Sequence, residues 1–95
     1  MDLQRLESLF KALGNKTRLK ILIYLKNSGE RDTGSIADFL EKNYKTAIPH
    51  LERLVKAQLI SRKREGLIVN YKITKLGLKV LSQVEEFYKG LFKNQ

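Results

Sequence analysis

Cysteine and tryptophan are absent from this chain of 95 residues, and histidine and proline occur once each, as His50 and Pro49. Without cysteine the chain can form no disulfide, no thiolate metal site and no cysteine nucleophile. The single histidine has no cysteine beside it and acids only at irregular spacing, so it is a poor zinc ligand. Neither a nucleophile–base pair nor a glycine-rich phosphate loop is visible. We therefore expect no metal, no cofactor and no enzymatic activity.

Long apolar runs are also missing. The longest covers residues 21–25, whereas a membrane-spanning helix needs about 20 apolar residues. The first thirteen residues alternate charged residues with leucines, which is unlike a signal peptide. We expect a soluble, cytoplasmic protein, and the length of 95 residues fits one domain that covers residues 1–95.

Acidic residues are scarce relative to basic ones. Nineteen lysines and arginines against ten aspartates and glutamates give a net charge of +9 and an isoelectric point near 9.9. Between Lys42 and Lys79 there are ten basic residues and two acidic ones, so this stretch carries +8 of that charge. Such clustering favours a polyanionic partner such as nucleic acid, and the alternative is a lysine-rich surface that is merely solvated.

The spacing of apolar residues predicts four helices before residue 60. These helices are expected at residues 2–13, 16 to about 27, about 34–42 and about 44–57. Asn15 and Asn43 can cap the second and fourth helices, and either Asp32 or Thr33 can cap the third. Residues 29–34, with two glycines and three charges, are expected to form a loop. The inward residues of the third helix are expected to be Ile36, Ala37, Phe39 and Leu40.

The pattern changes after residue 60. Alternation over residues 60–64 and 68–73 predicts two strands, joined at Glu65 and Gly66 by a tight hairpin turn. Thr74 then caps a last helix, from about Lys75 to Phe92. The fold class is therefore mainly α with a small β-hairpin, in the order α-α-α-α-β-β-α. Two short helices joined by a tight turn match a helix-turn-helix unit, and the basic hairpin that follows is its wing.

Several segments carry a family resemblance. Residues 10–22, FKALGNKTRLKIL, are similar to the opening signature "aLgnptRlkIL" of the ArsR-type winged helix-turn-helix regulators, which are common in bacteria and archaea. Further segments that resemble this family are Ile36-Ala37, Leu40, Asn43-Tyr44-Lys45-Thr46-Ala47, His50-Leu51, Leu54, Ala57, Leu59-Ile60 and Tyr71-Lys72-Ile73-Thr74. The resemblance covers nearly the whole chain. It implies a DNA-binding transcriptional regulator, expected to be a repressor.

The chain departs from the family pattern at a few positions. Glu41 and Lys42 stand where the turn of the helix-turn-helix usually has a glycine and an apolar residue, and Gln58 replaces a glycine. Pro49 lies in the recognition helix, where it either kinks the helix or marks a late start at Thr46. The family's usual metal sites are absent, because the third helix has no cysteine and the last helix has no histidine.

The recognition helix and the wing hold the candidate DNA contacts. The candidates are Tyr44, Lys45, Thr46, Ile48, Pro49, Arg53, Lys56, Arg62, Lys63 and Arg64. Lys45 and Arg53 can read guanine or bind phosphates, and Ile48 and Pro49 can contact a thymine methyl group. The alternatives are that Ile48 belongs to the core and that Lys45 is only solvated.

Three further residue groups have two interpretations each. The wing cations, with Arg62 and Arg64 on one face and Lys63 on the other, either bind phosphates or protect an edge strand from aggregation. Arg18 is either a phosphate contact or a structural residue. His50 is expected to pack or to make a local hydrogen bond.

The resemblance also implies a homodimer formed by the first and last helices. The candidate interface residues are Leu3, Leu6, Phe10, Val84, Phe87, Tyr88 and Leu91. The alternative is that these residues only close the core of a single chain. The sequence thus predicts a dimeric, sequence-specific regulator that binds double-stranded DNA. Two other functions stay open, which are a low-specificity architectural DNA protein and a winged-helix module for protein–protein contact.

Overall fold

Five helices and three strands follow one another in residues 1–93, the part of the chain that the computed structural model describes. The helices are α1 (Leu3–Leu13), α2 (Lys16–Ser28), α3 (Thr33–Leu40), α4 (Tyr44–Lys56) and α5 (Lys75–Phe92). The strands are β1 (Arg31–Asp32), β2 (Ile60–Glu65) and β3 (Ile68–Ile73). This order confirms the predicted four helices, hairpin and final helix, and it adds the short strand β1.

Each helix begins after a polar residue whose side chain accepts a hydrogen bond from a first-turn backbone amide. These residues are Asp2, Asn15, Asp32, Asn43 and Thr74. The predicted caps at Asn15, Asn43 and Thr74 are confirmed, and at α3 the cap is Asp32 rather than Thr33. A cap of this kind stabilises a helix by about 1 kcal/mol, because it satisfies a donor that has no partner within the helix.

The sequence predicted a loop over residues 29–34, but part of this segment forms a strand. Arg31 and Asp32 form β1 and pair with Tyr71 and Asn70 of β3 in antiparallel register. The sheet order is β1-β3-β2, so β3 lies in the middle. A strand of two residues is too short to show alternation, and it forms here because β3 offers it an edge with unpaired backbone groups.

The hairpin turn lies one residue later than predicted. Glu65 still pairs with Ile68 in the β2–β3 ladder, so Gly66 and Leu67 form the two-residue turn. Gly66 has a φ of +64°, whereas Leu67 does not have a positive φ. Positive φ at the first turn position alone is the type II′ pattern, which favours glycine there and matches the twist of the strands.

The core is formed by apolar side chains of every helix and of β2 and β3. Its largest fully buried side chains are Ile21, Leu22, Leu25, Ile36, Leu51, Leu54, Leu59, Ile60 and Leu81. The prediction that Phe39 faces inward is wrong, because this side chain is 47% exposed. Its ring stacks on that of Tyr24 in α2, with 4.1 Å between the ring centroids. Phe39 therefore covers the outer surface between α2 and α3 rather than filling the core.

Two helices end in a non-glycine residue with left-handed backbone. Glu41 ends α3 with a φ of +56°, and Gln58 follows α4 with a φ of +64°. These are two of the positions where the sequence departs from the family's glycine. The left-handed geometry turns the chain sharply from α3 into α4 and from α4 into β2, at a conformational cost of about 1 kcal/mol for a residue with a side chain.

Gly77 allows α5 to approach the start of the wing. A Cβ atom at this position would lie 2.1 Å from the carbonyl oxygen of Leu59 and 2.8 Å from the side chain of Ile73. Thr74 strengthens the same junction, because its Oγ1 donates to the Gln58 carbonyl at 2.7 Å. The first turn of α5 is thus fixed against the segment that joins α4 to β2.

Candidate nucleic-acid interface

The helix α4 has one buried face and one exposed face. Ala47, Leu51 and Leu54 are fully buried and anchor the helix to the core. The predicted DNA contacts that are exposed on α4 are Tyr44, Lys45, Thr46, Pro49, Arg53 and Lys56. Ile48 is half-buried, which is intermediate between its two interpretations. The outward face of α4 is therefore polar and cationic, as a helix that enters a DNA groove requires.

Pro49 lies inside α4. The helix begins at Tyr44, and the Ala47 amide donates to the Asn43 carbonyl at 3.0 Å, so a late start at Thr46 is wrong. Since proline has no N–H, the carbonyl of Lys45 lacks its usual partner within the helix. Pro49 and Lys45 are both exposed, so water can satisfy that carbonyl. This exposure explains how the helix tolerates an interior proline.

Tyr44 lies at the N-terminus of α4 and extends towards the start of α3. A Cβ atom at Gly34 would lie 2.7 Å from the hydroxyl oxygen of Tyr44, so the phenol group lies close against Gly34. The side chain is nevertheless 56% exposed. Tyr44 therefore links the two helices of the helix-turn-helix and keeps part of its ring at the surface.

The wing cations lie on both faces of the hairpin. Arg62 pairs with Tyr71 and Arg64 pairs with Val69 in the β2–β3 ladder, whereas Lys63 on the opposite face pairs with Asn70. All three cations are exposed, because β2 leaves the core after its first residue. Leu67 at the tip of the turn is 98% exposed, which the sequence reasoning did not single out.

Arg18 makes structural contacts, which is one of the two roles that the sequence left open for it. Its Nε donates to the Ala12 carbonyl at 2.7 Å and its Nη2 donates to the Lys11 carbonyl at 2.8 Å. Its Nη1 lies 3.0 Å from Nδ1 of His50. Arg18 thus joins the last carbonyls of α1 to the recognition helix. Arg18 and His50 are 32 residues apart, so no local sequence pattern indicates this contact.

The electrostatic environment around these two residues is cationic. Burial lowers the pKa of Arg18 and the charge of Arg53 lowers it further. Burial is also the main cause that lowers the pKa of His50, followed by the charges of Arg18, Lys42 and Arg53. The imidazole of His50 is therefore held by a hydrogen bond from Arg18 and lies in a positive potential.

The surface formed by α1 and α5 is apolar, in contrast to the cationic surface of α4 and the wing. Leu3, Phe10, Phe87, Tyr88 and Leu91 are between 56% and 68% exposed. Leu6 and Val84, the other two predicted interface residues, are half-buried. The structure thus leaves all seven residues at or near the surface of α1 and α5. The alternative that they only close the core of one chain does not fit the five exposed side chains.

No group of three His, Cys, Asp or Glu side chains in residues 1–93 lies close enough together to hold a metal ion. No helix in this range has the length and apolar character that a membrane-spanning segment needs.

The chain matches one family model and two known regulatory proteins. The family model described as "Bacterial regulatory protein, arsR family" matches residues 15–62. An uncharacterised HTH-type transcriptional regulator of Methanocaldococcus jannaschii is 36% identical over 63 residues, which cover 66% of this chain and 71% of that protein. A homologue of the cadmium resistance regulatory protein CadC from Staphylococcus aureus is 34% identical over 67% of this chain. This chain matches only 53% of the length of the CadC homologue.

A solved structure covers nearly the whole chain. It is the solution structure of a homodimeric winged helix-turn-helix DNA-binding domain from Mycobacterium bovis, described as a possible ArsR-family transcriptional regulator. The two chains are 29% identical and superpose with a TM-score of 0.88. The alignment covers 98% of this chain and 86% of the Mycobacterium domain. The helices, the short sheet and the wing are therefore arranged as in that domain.

Proposed function

The chain belongs to the ArsR family of regulatory proteins, and on that premise we propose that it represses transcription as a homodimer bound to a specific site in double-stranded DNA. The match over residues 15–62 confirms the resemblance that the sequence carries, and the winged helix-turn-helix fold is confirmed with it. The role of a DNA-binding transcriptional regulator follows from the family. Repression, the DNA contacts and the dimer belong to the proposal.

The recognition helix α4 enters the major groove in this proposal. Its buried residues hold the helix against the core, and its outward side chains meet the base edges near its N-terminus. Lys45 and Arg53 can donate to guanine or to phosphates, and Thr46 can bond to either type of base pair. The observation that carries the proposal is the fully buried inner face of α4 opposite an exposed cationic face.

The wing binds the DNA backbone beside that groove. Arg62 and Arg64 on one face and Lys63 on the other are free to approach phosphates on either side of the hairpin. Phosphate contacts fix the position of a protein on DNA without reading its sequence. Sequence preference is therefore assigned to α4, and a large part of the affinity is assigned to the wing.

The dimer forms through α1 and α5. The exposed apolar residues of these two helices would be covered if a second copy packed on them around a two-fold axis. The Mycobacterium domain is homodimeric, which supports the same assembly here. Two recognition helices would then meet successive major grooves about 34 Å apart, and the DNA site would be a palindrome.

The proposed role is binding without catalysis. A protein that regulates transcription in this way acts where chromosomal DNA is present, so we place it in the cytoplasm. No cofactor is needed for this function.

A footprinting experiment tests the proposal. The purified protein is incubated with the region upstream of its own gene, and its affinity for the protected segment is compared with that for random duplexes of equal length. We expect a protected palindrome and a clear preference for it. Equal affinity for all duplexes would indicate an architectural DNA protein. Failure to bind any duplex would indicate a protein–protein module.

A further inference from the structure

The contact between Arg18 and His50 determines where the imidazole carries its proton. A guanidinium group only donates hydrogen bonds, so Nδ1 of His50 has to accept the bond from Nη1 of Arg18. In the neutral ring the proton then lies on Nε2. Arg18 is itself held by the carbonyls of Ala12 and Lys11, which keeps this arrangement in place. His50 therefore presents one defined donor, Nε2–H.

This donor lies at the surface. Within residues 1–93 the buried side-chain polar atoms all have hydrogen-bond partners, and the Nε2 atom of His50 makes no hydrogen bond there. Since Nε2 has no partner and is not a buried orphan, it is not fully enclosed and can reach solvent. The half-buried imidazole is thus held at Nδ1 by Arg18 and has no partner at Nε2 within residues 1–93.

The position of His50 on α4 places this donor beside the outward face of the helix. Thr46 lies four residues before it and Arg53 three residues after it, so the three side chains are neighbours along one edge. The charged groups that act on His50 are Arg18 from α2, Lys42 from the turn before α4 and Arg53 from α4 itself. All of them are cations. This positive field favours an anion as the acceptor for Nε2–H.

We propose that His50 is a phosphate-binding residue, which donates from Nε2 to the DNA backbone at the edge of the major groove while Arg18 holds its ring as a positioning residue. This inference rests on the proposed DNA binding and adds to it a contact that the outward face of α4 does not include. A side chain at the edge of a groove-bound helix meets the wall of the groove, where the phosphates lie.

The proposal has a consequence that depends on pH. In the free protein, burial and the neighbouring cations keep the pKa of His50 below its ordinary value of 6.5. Protonation at Nδ1 ends the bond from Arg18 in both states, but only in the complex does a phosphate at Nε2 favour the charged imidazole, so the pKa is higher in the complex than in the free protein. The affinity for DNA therefore rises as the pH falls through the pKa of the complex, and it levels off below the pKa of the free protein.

Nuclear magnetic resonance measures this directly, because His50 is the only histidine in the chain. In the free protein, labelled with ¹⁵N-histidine, we expect the Nε2–H tautomer and a pKa below 6.5. With operator duplex or a random duplex at about 0.15 M salt, where distant charges are screened, we expect the pKa to rise by about one unit. Inorganic phosphate alone should leave the pKa unchanged. The same rise with inorganic phosphate would overturn the assignment to the DNA backbone.

Two variants separate the donor from the packing of the ring. His50→Leu retains an apolar side chain but has no donor, so we expect it to weaken operator and random duplexes alike, by about tenfold. His50→Gln can accept from Arg18 and donate outward, so it should retain most of the affinity but lose the pH dependence. Arg18→Leu removes every donor at this position, so it should leave a mixture of the two imidazole tautomers, which the loss of the contacts to α1 alone would not produce.

The outcomes distinguish this inference from the proposed function. A wild-type protein that binds no duplex would overturn the DNA-binding function and this inference together. A wild-type protein that binds its operator while the pKa of His50 stays constant would overturn this inference alone. Full affinity in His50→Leu would do the same. Thermal unfolding of each variant shows whether a loss of binding reflects a loss of fold.

Discussion

The outward surface of α4 and the wing differs from that of α1 and α5 in how well water solvates its exposed side chains. The first surface exposes lysines and arginines, which water solvates well. The second exposes Phe10, Phe87 and Leu91, and full burial of each such side chain stabilises by about 1.5–3 kcal/mol. The cationic surface is therefore complete in a single chain until DNA arrives, whereas the apolar surface of the single chain lacks a cover.

Because of this difference, we expect the two surfaces to act in a fixed order. Apolar burial is non-directional and needs no DNA, so in the proposed assembly dimerisation through α1 and α5 precedes DNA binding. Binding of phosphates is electrostatic and weakens with salt. In the proposed assembly the dimer is thus the species that meets DNA, and a change confined to one surface leaves the other measurable.

The largest effect is expected from a charge placed in the apolar surface. Phe87→Glu puts a carboxylate where the proposed interface is dry, so we expect monomers in sedimentation at micromolar concentration. Each monomer then binds one half-site, and the loss of the second half-site should weaken operator binding by about 100-fold or more.

The matched control for this change is Ser82→Glu. Ser82 lies five residues before Phe87 on α5, about 140° around the helix, and is exposed, so the variant adds the same charge away from the interface. We expect it to remain a dimer and to bind its operator with nearly wild-type affinity. A wild-type protein that sediments as a monomer near 11.0 kDa would contradict both the dimer and the palindromic site.

The next effect concerns the junction that both surfaces share. Gly77→Ala would place a Cβ atom 2.1 Å from the Leu59 carbonyl, so the start of α5 has to move away from the base of the wing. Because backbone atoms cannot yield as a flexible side chain does, we expect the free energy of unfolding to fall by about 3 kcal/mol. Urea unfolding of the variant measures this loss.

Gly90 provides the control in the same helix. A Cβ atom there meets nothing within 4 Å, so Gly90→Ala only replaces a poor helix former by a good one. It should raise the free energy of unfolding by about 0.5–1 kcal/mol. Similar losses of stability from both variants would show that the close approach at Gly77 is not what limits this position.

Features that depend on neighbouring residues could be predicted from the sequence, whereas the different surroundings of Gly77 and Gly90 could not. Helix starts depend on neighbouring residues, so the caps at Asn15, Asn43 and Thr74 were predictable from local chemistry. The alternation in the wing was likewise local. The close approach at Gly77 depends on how α5 packs against Leu59, and no neighbour in the sequence indicates it.

The candidate site likewise has some features that could be predicted from the sequence and others that could not. The outward and inward faces of α4 follow from helical spacing, and its predicted contacts are exposed except for the half-buried Ile48. The bond between Arg18 and His50 joins residues 32 positions apart and was open to several interpretations. Phe39 was predicted to face inward because its spacing is helical, yet the stacking of its ring on Tyr24 keeps it at the surface.

A smaller effect distinguishes base recognition from phosphate binding within the cationic surface. Lys45→Ala removes a side chain that is proposed to reach base edges, so we expect about tenfold weaker binding to the operator and little change on random duplexes. Arg64→Ala removes a wing cation that is proposed to bind phosphate. We expect it to weaken all duplexes and to lower the slope of log affinity against log salt by about 0.9. Uniform losses from both variants would mean that α4 does not read the sequence.

The smallest effect is expected at the turn between α3 and α4. Glu41 adopts a φ of +56°, which costs a residue with a side chain about 1 kcal/mol, and its carboxylate lies at the negative end of the α3 dipole. Glu41→Gly relieves both, although the more flexible unfolded chain offsets part of the gain, so we expect the free energy of unfolding to rise by about 0.5 kcal/mol.

Glu41→Gln separates the two contributions, because it removes the charge and keeps the left-handed strain. We expect it to recover less than half of the stabilisation that glycine provides, since the residue is exposed and its charge is screened. Chemical denaturation of the three proteins at equal salt measures the difference. If glutamine stabilised as much as glycine, charge rather than backbone strain would be the cost at this turn. If glycine destabilised the protein, the Glu41 side chain would have to make a favourable contribution that outweighs its strain.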